Sequence, residues 1–279
     1  DTGFGLLAAQ VAIPYSYFSD IGQKLTLSHS FTRAYYTGLQ SAPSQGGENS
    51  SGTIFSYQLQ GKTKRKSVFL QIDGENEAVE AYYPLDKNRQ AAGFTAAYDA
   101  LRLGEKHFFI PRIRVEQTST MGGYVDGSLS YIHEMQPGHE LFASITSEHK
   151  VPSMIALYGY NEGGNMVAGL PSLAAERAEI SSLGYNYVGR TWGLWLSSWY
   201  SHHRNMAIRS GSSFVQVADA QTYGLLSSLS CGFFDRWYAR VSGTLQNTRI
   251  NDDGATGTNN GHELTFKPTH IVSVTLTYD

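Results

Sequence analysis

The sequence predicts an all-β fold, an antiparallel transmembrane β-barrel of which this chain supplies a part. Three observations carry that reading. Apolar and polar residues alternate with period two over stretches of about ten residues, the pattern of strands with one lipid-facing and one wet face. The connectors between those stretches alternate between short and long. Charged residues make up 16% of the 279, against about 25% in soluble domains, yet mean hydropathy is −0.29. Glycine (29), tyrosine (18), serine and threonine fill the gap, a mix that suits half-wet strands.

The alternation is clearest in four places. In 24–36, Leu25, Leu27, His29, Phe31 and Tyr35 fall on one face and Thr26, Ser28, Ser30 and Thr32 on the other. In 53–60, Phe55, Tyr57 and Leu59 alternate with Ser56, Gln58 and Gln60. In 237–246, Trp237, Ala239, Val241, Gly243 and Leu245 oppose Tyr238, Arg240, Ser242, Thr244 and Gln246. In 270–278, Val272, Val274, Leu276 and Tyr278 oppose Ile271, Ser273, Thr275 and Thr277. Extended along the chain, the pattern predicts about thirteen strands: 4–18, 22–36, 52–61, 67–75, 90–103, 107–118, 123–134, 139–149, 178–189, 191–203, 218–234, 236–250 and 267–279. Of these, 90–103 would also suit a helix, because of Ala91, Ala92, Ala96, Ala97 and Ala100.

Short turns are expected at 19–22, 61–66, 104–106, 136–138, 188–190 and 234–236, and long polar connections at 37–51, 76–89, 150–177, 204–217 and 251–266; only 119–122 breaks the long set. Outer-membrane barrels sort their loops this way, short toward the periplasm and long toward the outside. Aromatic residues gather near the expected strand ends, among them Tyr15, Tyr17, Tyr35, Tyr36, Phe108, Phe109, Tyr185, Tyr187, Trp199, Tyr200, Phe233 and Trp237. An apolar body with a polar tip suits the two membrane interfaces.

Composition also excludes. Net charge is −3, so no basic excess points to nucleic acid. The one like-signed run, Lys62 to Lys66, reads as a solvated turn. A single cysteine, Cys231, allows no intrachain disulfide and no cysteine-based metal site. No run of about 18 apolar residues exists for a transmembrane helix. No leader segment is recognised, so any export signal is expected to be gone already. Signs of enzyme chemistry are weak. Ser210-Gly211-Ser212-Ser213 lacks the nucleophile-elbow pattern, and the paired acids Glu75 and Glu77, or Asp252 and Asp253, read as solvated loop carboxylates. His133 and Met135 share a face beside the Pro137-Gly138 turn, with His139 on its far side; a polar rim is the reading there, rather than a soft-metal site. No catalytic residue, metal ligand or cofactor is assigned.

In the second half the residues resemble a known family. Leu141 to Tyr158, running through His149-Lys150-Val151-Pro152-Ser153 to Ala156-Leu157-Tyr158, resembles the strand and loop of TonB-dependent receptors that carry Phe-Arg-Ala-Pro-Ser followed by Glu-Leu-Tyr. Leu170-Pro171-Ser172-Leu173-Ala174-Ala175-Glu176 is similar to their Asn-Pro-Asn-Leu-Lys-Pro-Glu box. Trp199-Tyr200 with Asn205-Met206-Ala207, then Ala220-Gln221-Thr222-Tyr223-Gly224, then Pro268-Thr269-His270 to Tyr278 follow in the family's order. Departures are Lys150 for Arg, Val151 for Ala, Leu170 for Asn, Ala175 for Pro and Leu226 for Glu, which makes this a divergent member.

The resemblance implies a barrel of about 22 strands around an N-terminal plug. This chain would then run from about the sixth strand to the eighteenth as a single barrel domain, 1–279, with the plug and terminal strands elsewhere; the competing explanation is a complete smaller barrel of twelve or fourteen strands. It further implies an outer-membrane active transporter of a Gram-negative bacterium, taking up a siderophore-iron or other metal chelate captured by extracellular loops. Its partners would be outer-membrane lipid, TonB through the plug, and the small chelate, with no nucleic acid. The ligand candidates lie in loops 150–177 and 201–217: Tyr158, Tyr160, Asn161 and Met166, which could stack on and hydrogen-bond a chelate, and His202, His203, Arg204 and Met206. Adjacent histidines on a strand point to opposite faces, so one metal cannot easily take both. A passive porin-like channel and a soluble all-β adhesin are the alternatives. They differ from the importer in where the alternating apolar faces point.

Overall fold

The computed structural model describes residues 2–13, 21–36, 46–63, 66–80, 86–99, 101–162, 165–233, 236–254, 260–264 and 268–278. The first strands are β1 (Thr2–Ile13), β2 (Ile21–Tyr36), β3 (Gly46–Thr63), β4 (Lys66–Glu80), β5 (Asp86–Asp99) and the short β6 (Leu101–Leu103). Then come β7 (His107–Thr118), β8 (Gly122–Gln136) and β9 (His139–Lys150). A long connection holds helix α1 (Met154–Tyr158) and the small hairpin β10 (Tyr160–Glu162) and β11 (Asn165–Val167). Finally come β12 (Glu176–Val188), β13 (Trp192–Ser210), β14 (Ser213–Phe233), β15 (Trp237–Asp252) and β16 (His270–Tyr278).

All but β10 and β11 join one antiparallel meander that runs in sequence order from β1 at one edge to β16 at the other, with β5 paired to β7 and the short β6 off the path, paired to β7 alone. Among the described residues, β1 pairs only with β2 and β16 only with β15. The sheet is therefore a wall, not a closed ring. The alanine-rich stretch 90–103, ambiguous by composition, lies in β5 and β6.

The exposure pattern inverts that of a soluble sheet. Apolar residues at every second position are the open ones: Ile145 is 61% exposed and Leu183 60%, and Val125, Leu129, Leu225 and Leu245 lie on the same face. Small polar residues on the other face are packed away, Thr95 at 1% and Thr222 at 5%, with Ser197, Ser201, Ser228 and Thr248. On a curved wall the side chains of the concave face converge and cover one another, while those of the convex face splay. The polar face is thus the lumen and the apolar face the exterior, the arrangement a barrel in lipid requires.

The lumen face carries charge in mid-wall, where lipid would not accept it. Arg114 donates from both Nη atoms to the Asp73 carboxylate, at 2.8 and 2.7 Å, and from Nε and Nη2 to Glu116, with Thr95 Oγ1 as a further acceptor at 3.1 Å. Gly93 makes the room: a Cβ there would collide with the guanidinium. Gly224 does the same for the Trp199 indole.

At the short-turn end the strands carry a belt of rings. Phe109 lies 4.9 Å from Tyr131, Tyr187 4.3 Å from Trp192, and Trp237 5.0 Å from Tyr278, centroid to centroid. Such a girdle marks the membrane interface. The expected aromatic groups at Tyr15, Tyr17 and Phe18 lie outside the described residues.

Three expectations need correction. The polar stretch 204–217 is not a long loop: β13 and β14 pair all the way to Ser210↔Ser213 and turn through Gly211 and Ser212. Likewise β3 begins at Gly46, inside the expected 37–51 connection, and β4 and β5 run into the expected 76–89 connection. Above the bilayer a strand is wet on both faces, so the apolar alternation fades while the backbone pairing continues.

Candidate ligand-capture surface at the loop end

The connection from 151 to 175 folds into a compact unit. Ser153 caps α1, its Oγ accepting from Ala156 N at 3.2 Å. Met154, Ala156 and Leu157 bury against Leu173, with Met121, Tyr158, Leu170, Ala207 and Phe214 around them. Gly159 takes φ +81°, and a Cβ there would strike the Val167 carbonyl, so only glycine fits.

This unit is tied to its neighbours. Ala168 N donates to Ser212 O at 2.8 Å and Phe214 N to Ala168 O at 3.0 Å, stitching it to the β13–β14 tip. Gln216 Nε2 bridges Ala174 O and Asn205 O, each at 3.2 Å, and Arg89 Nη1 reaches Pro152 O at 2.5 Å from β5. The two stretches singled out as ligand candidates, 150–177 and 201–217, therefore form one structure.

Tyr158 is half-buried in that cluster. Tyr160, Asn161 and Met166 lie on the β10–β11 hairpin, where Asn161 pairs with Met166 in register; their side chains are outside the described part of the structure. His202 and His203 separate as the strand geometry requires. His202 Nε2 meets Asp219 Oδ2 at 2.5 Å, and Asp219 also accepts from Asn251 Nδ2 at 2.5 Å. His203 lies on the lumen face, its Nδ1 2.8 Å from Glu176 Oε1 and its Nε2 2.7 Å from Ser201 Oγ. Arg204 shares the outward face with His202 and is exposed. Met206 is buried with Val217, Ala220, Ile250 and Leu264. The structure thus groups Tyr158 with the loop core and Met206 with a second core, puts His203 in the lumen, and sets His202 and Arg204 outside it.

Glu176, His203 and Ser201 stand in acid–imidazole–hydroxyl order, a relation the sequence did not suggest. Ser201 is only 5% exposed, closed to a substrate, so the relay fixes the ring and its tautomer instead of activating a nucleophile. Beside it, Thr222 Oγ1 is buried without a hydrogen-bond partner. Glu176 and His203 are on neighbouring strands, and only the β12–β13 register brings them together. The Arg114–Asp73–Glu116 network was also missed, although Arg112, Arg114 and Glu116 alternate with Ile113 and Val115 in the sequence.

The connection after β15 also folds back onto the wall. Ile250 N donates to His262 O, Gly261 N to Ile250 O, and Leu264 N to Thr248 Oγ1, which seats Leu264 in the buried cluster. At the opposite end His133 stacks on His107 at 4.6 Å, and His139 Nδ1 lies 2.6 Å from Tyr185 Oη. Among the described residues no group of three or more His, Cys, Asp or Glu is placed to hold a metal ion.

A wall that is apolar outside and polar inside, with short turns at one end and folded capture-sized loops at the other, defines a class, the outer-membrane β-barrel. The family model described as TonB dependent receptor-like, beta-barrel, matches residues 3–279, and the chain belongs to that family. No curated protein matches the sequence.

Solved structures share the fold. The siderophore receptor PirA from Pseudomonas aeruginosa matches with a TM-score of 0.74 at 12% identity, over 90% of this chain and 51% of its own. The ferric enterobactin receptor PfeA, also from Pseudomonas aeruginosa, gives 0.77 at 12% identity, over 99% and 47%. The copper transporter OprC gives 0.70 at 13%, over 98% and 50%. This chain therefore spans about half the length of the receptors it is similar to. At such identity the likeness is one of fold.

Proposed function

We propose that this chain is the wall and part of the mouth of a Gram-negative outer-membrane importer, energised through TonB acting on a plug, that takes up a siderophore-iron or related metal chelate. The observation that carries the reading is a wall with apolar residues outward and a packed polar lumen, topped by loops tied to one another. A wall alone would leave open strand edges in lipid, so the working barrel draws its other strands, and the plug, from further chain. The structural neighbours are siderophore, ferric enterobactin and copper proteins, which supports a metal-bearing ligand. In this reading Tyr158 and the β10–β11 hairpin with Tyr160, Asn161 and Met166 frame the mouth. His203 faces the ligand's path, Met206 anchors the mouth's base, and His202 and Arg204 flank it from outside. The barrel does no covalent chemistry; selectivity comes from the shape and polar lining of the mouth.

The test is growth of an iron-starved host lacking its own receptors, complemented with the full receptor and supplied with ferric catecholate and ferric hydroxamate in turn, with cell-associated copper measured when a copper chelate is supplied. At least one chelate should restore uptake, and deletion of TonB should abolish it. Entry of small sugars and chelates alike, unaffected by TonB, would instead establish a passive channel.

A further inference from the structure

The outward face holds a feature that uptake does not use. Across β7, β8, β9, β12 and β13 one register row runs Ile113–Gly127–Ser147–Glu179–His202, and the row toward the short turns runs Pro111–Leu129–Ile145–Ser181–Tyr200. Gly127, Ser147 and Ser181 leave a floor without large side chains. Ile113, Val125, Leu129, Ile145 and Tyr200 stand up around it, each at least 40% exposed. The result is a mostly apolar hollow of about 700 Å³ in the wall, within the size range of ligand sites. A β-carbon on Gly127 would meet only the Arg112 carbonyl, at 3.7 Å, so the depression is open space above that glycine.

The hollow is polar at one end only. Past Glu179 and His202, one step toward the loops, Arg177 and Arg204 stand directly opposite each other on adjacent strands. Like charges in that relation repel. Arg177 has Glu179 at 3.1 Å. Arg204 makes no hydrogen bond or close ion pair among the described residues; Asp219, opposite it across β13 and β14 and in electrostatic interaction with it, has both oxygens engaged, by His202 and Asn251. Two exposed arginines opposed in register, one of them with no hydrogen bond among the described residues, suit an anion with several oxygens that can accept from both. They stand on the loop side of an apolar trough, with Arg204 on β13, which starts at Trp192 at the short-turn end; at about 3.4 Å per residue and about 40° of tilt that is about 30 Å up, just past an apolar band about 25 Å tall, where headgroups begin.

We propose that this face binds a phosphate-bearing acyl lipid of the outer leaflet, with an acyl chain in the Gly127–Ser147–Ser181 hollow and the phosphate between Arg177 and Arg204. The proposal rests on the outward orientation of the apolar face and not on uptake. Loss of TonB-dependent import would leave it standing, and loss of lipid binding would leave import standing.

The test is native mass spectrometry of the full receptor, stripped of lipid in a non-ionic detergent. The probes are dioleoylphosphatidic acid, dioleoylglycerol with the same chains and no phosphate, and inorganic phosphate. Phosphatidic acid should remain bound where dioleoylglycerol does not. Its affinity should fall about tenfold in R177Q/R204Q, the scale of one or two lost charge-assisted bonds, and about tenfold in Gly127→Leu, which fills the trough. Heat-modifiable gel mobility reports folding; should the double variant not fold, R204Q alone is the test, since that side chain makes no hydrogen bond among the described residues and Asp219 keeps its bonds from His202 and Asn251. Equal retention of both lipids, or equal affinity in all variants, would mean an unselective lipid belt and overturn the proposal. Displacement of the lipid by millimolar inorganic phosphate would mean a plain anion site and overturn it too.

Discussion

Replacing Ile145 by lysine separates a lipid-facing wall from every soluble reading. Ile145 is 61% exposed, and at an exposed site on a soluble protein the change would cost within about 0.5 kcal/mol. It lies six residues along β9 from His139 at the short-turn end. With a rise of about 3.4 Å per residue and a tilt of about 40°, that puts it about 15 Å above the rim, near the middle of an apolar band about 25 Å tall. A lysine there costs about 2–4 kcal/mol. Its neighbour Thr146 faces the lumen with Ser128 and Ile180 in its register row, so Thr146→Lys meets water and Glu148 and should cost under about 1 kcal/mol. The assay is urea titration of the full receptor in dilauroylphosphatidylcholine vesicles, following heat-modifiable mobility. The expected result is a midpoint clearly lowered by Ile145→Lys and nearly unmoved by Thr146→Lys. Equal shifts, or a larger shift from Thr146→Lys, would mean that the two faces have been assigned the wrong way round.

Three further changes probe the interior and the mouth. Arg114→Met leaves Asp73 and Glu116 without their shared cation; both keep some solvent contact, 16% and 24%, which reduces the cost to about 1–3 kcal/mol. Adding Asp73→Asn should recover part of it in the same urea assay, and a double variant weaker than the single would contradict the pairing. Gly224→Val would force the Trp199 ring off its seat and should alter tryptophan emission and lower the melting temperature; an unchanged spectrum argues against that contact. Gly159→Ala strains a residue at φ +81° and drives a methyl into the Val167 carbonyl, at a cost of about 1 kcal/mol or more. Limited proteolysis should then cut within 151–175 while the wall stays resistant, and a protected loop would sink the assignment.

The wall was legible because alternation is local. Each strand carries its own face pattern, so 107–118 could be bounded from Phe108–Thr118 alone and matches β7. The protruding strands were not legible for the same reason. Residues 204–217 are wet on both sides, and with no apolar face to mark it a paired strand reads as a polar loop. Nor could the site contacts be read. Arg114 is 41 residues from Asp73, and His203 is 27 from Glu176; only strand order and register make them neighbours. The separation of His202 from His203 was readable, since it needs nothing beyond the two-residue repeat.

The correction at 204–217 changes what kind of mouth this is. A free loop of that length would lose conformational entropy on binding ligand, at about 1–2 kcal/mol for each residue fixed. Here the β13–β14 hairpin is already paired to its tip, and the 151–175 unit is bonded to it through Ala168, Phe214 and Gln216. The helix of that unit is seated on a buried core of Met154, Leu157 and Leu173. The ordering cost has been met during folding, so in the proposed importer a ligand would meet a preformed rim and would not have to organise it. The same bonds couple the rim to the wall: Glu176 begins β12 directly after the 151–175 unit and bonds His203 in the lumen.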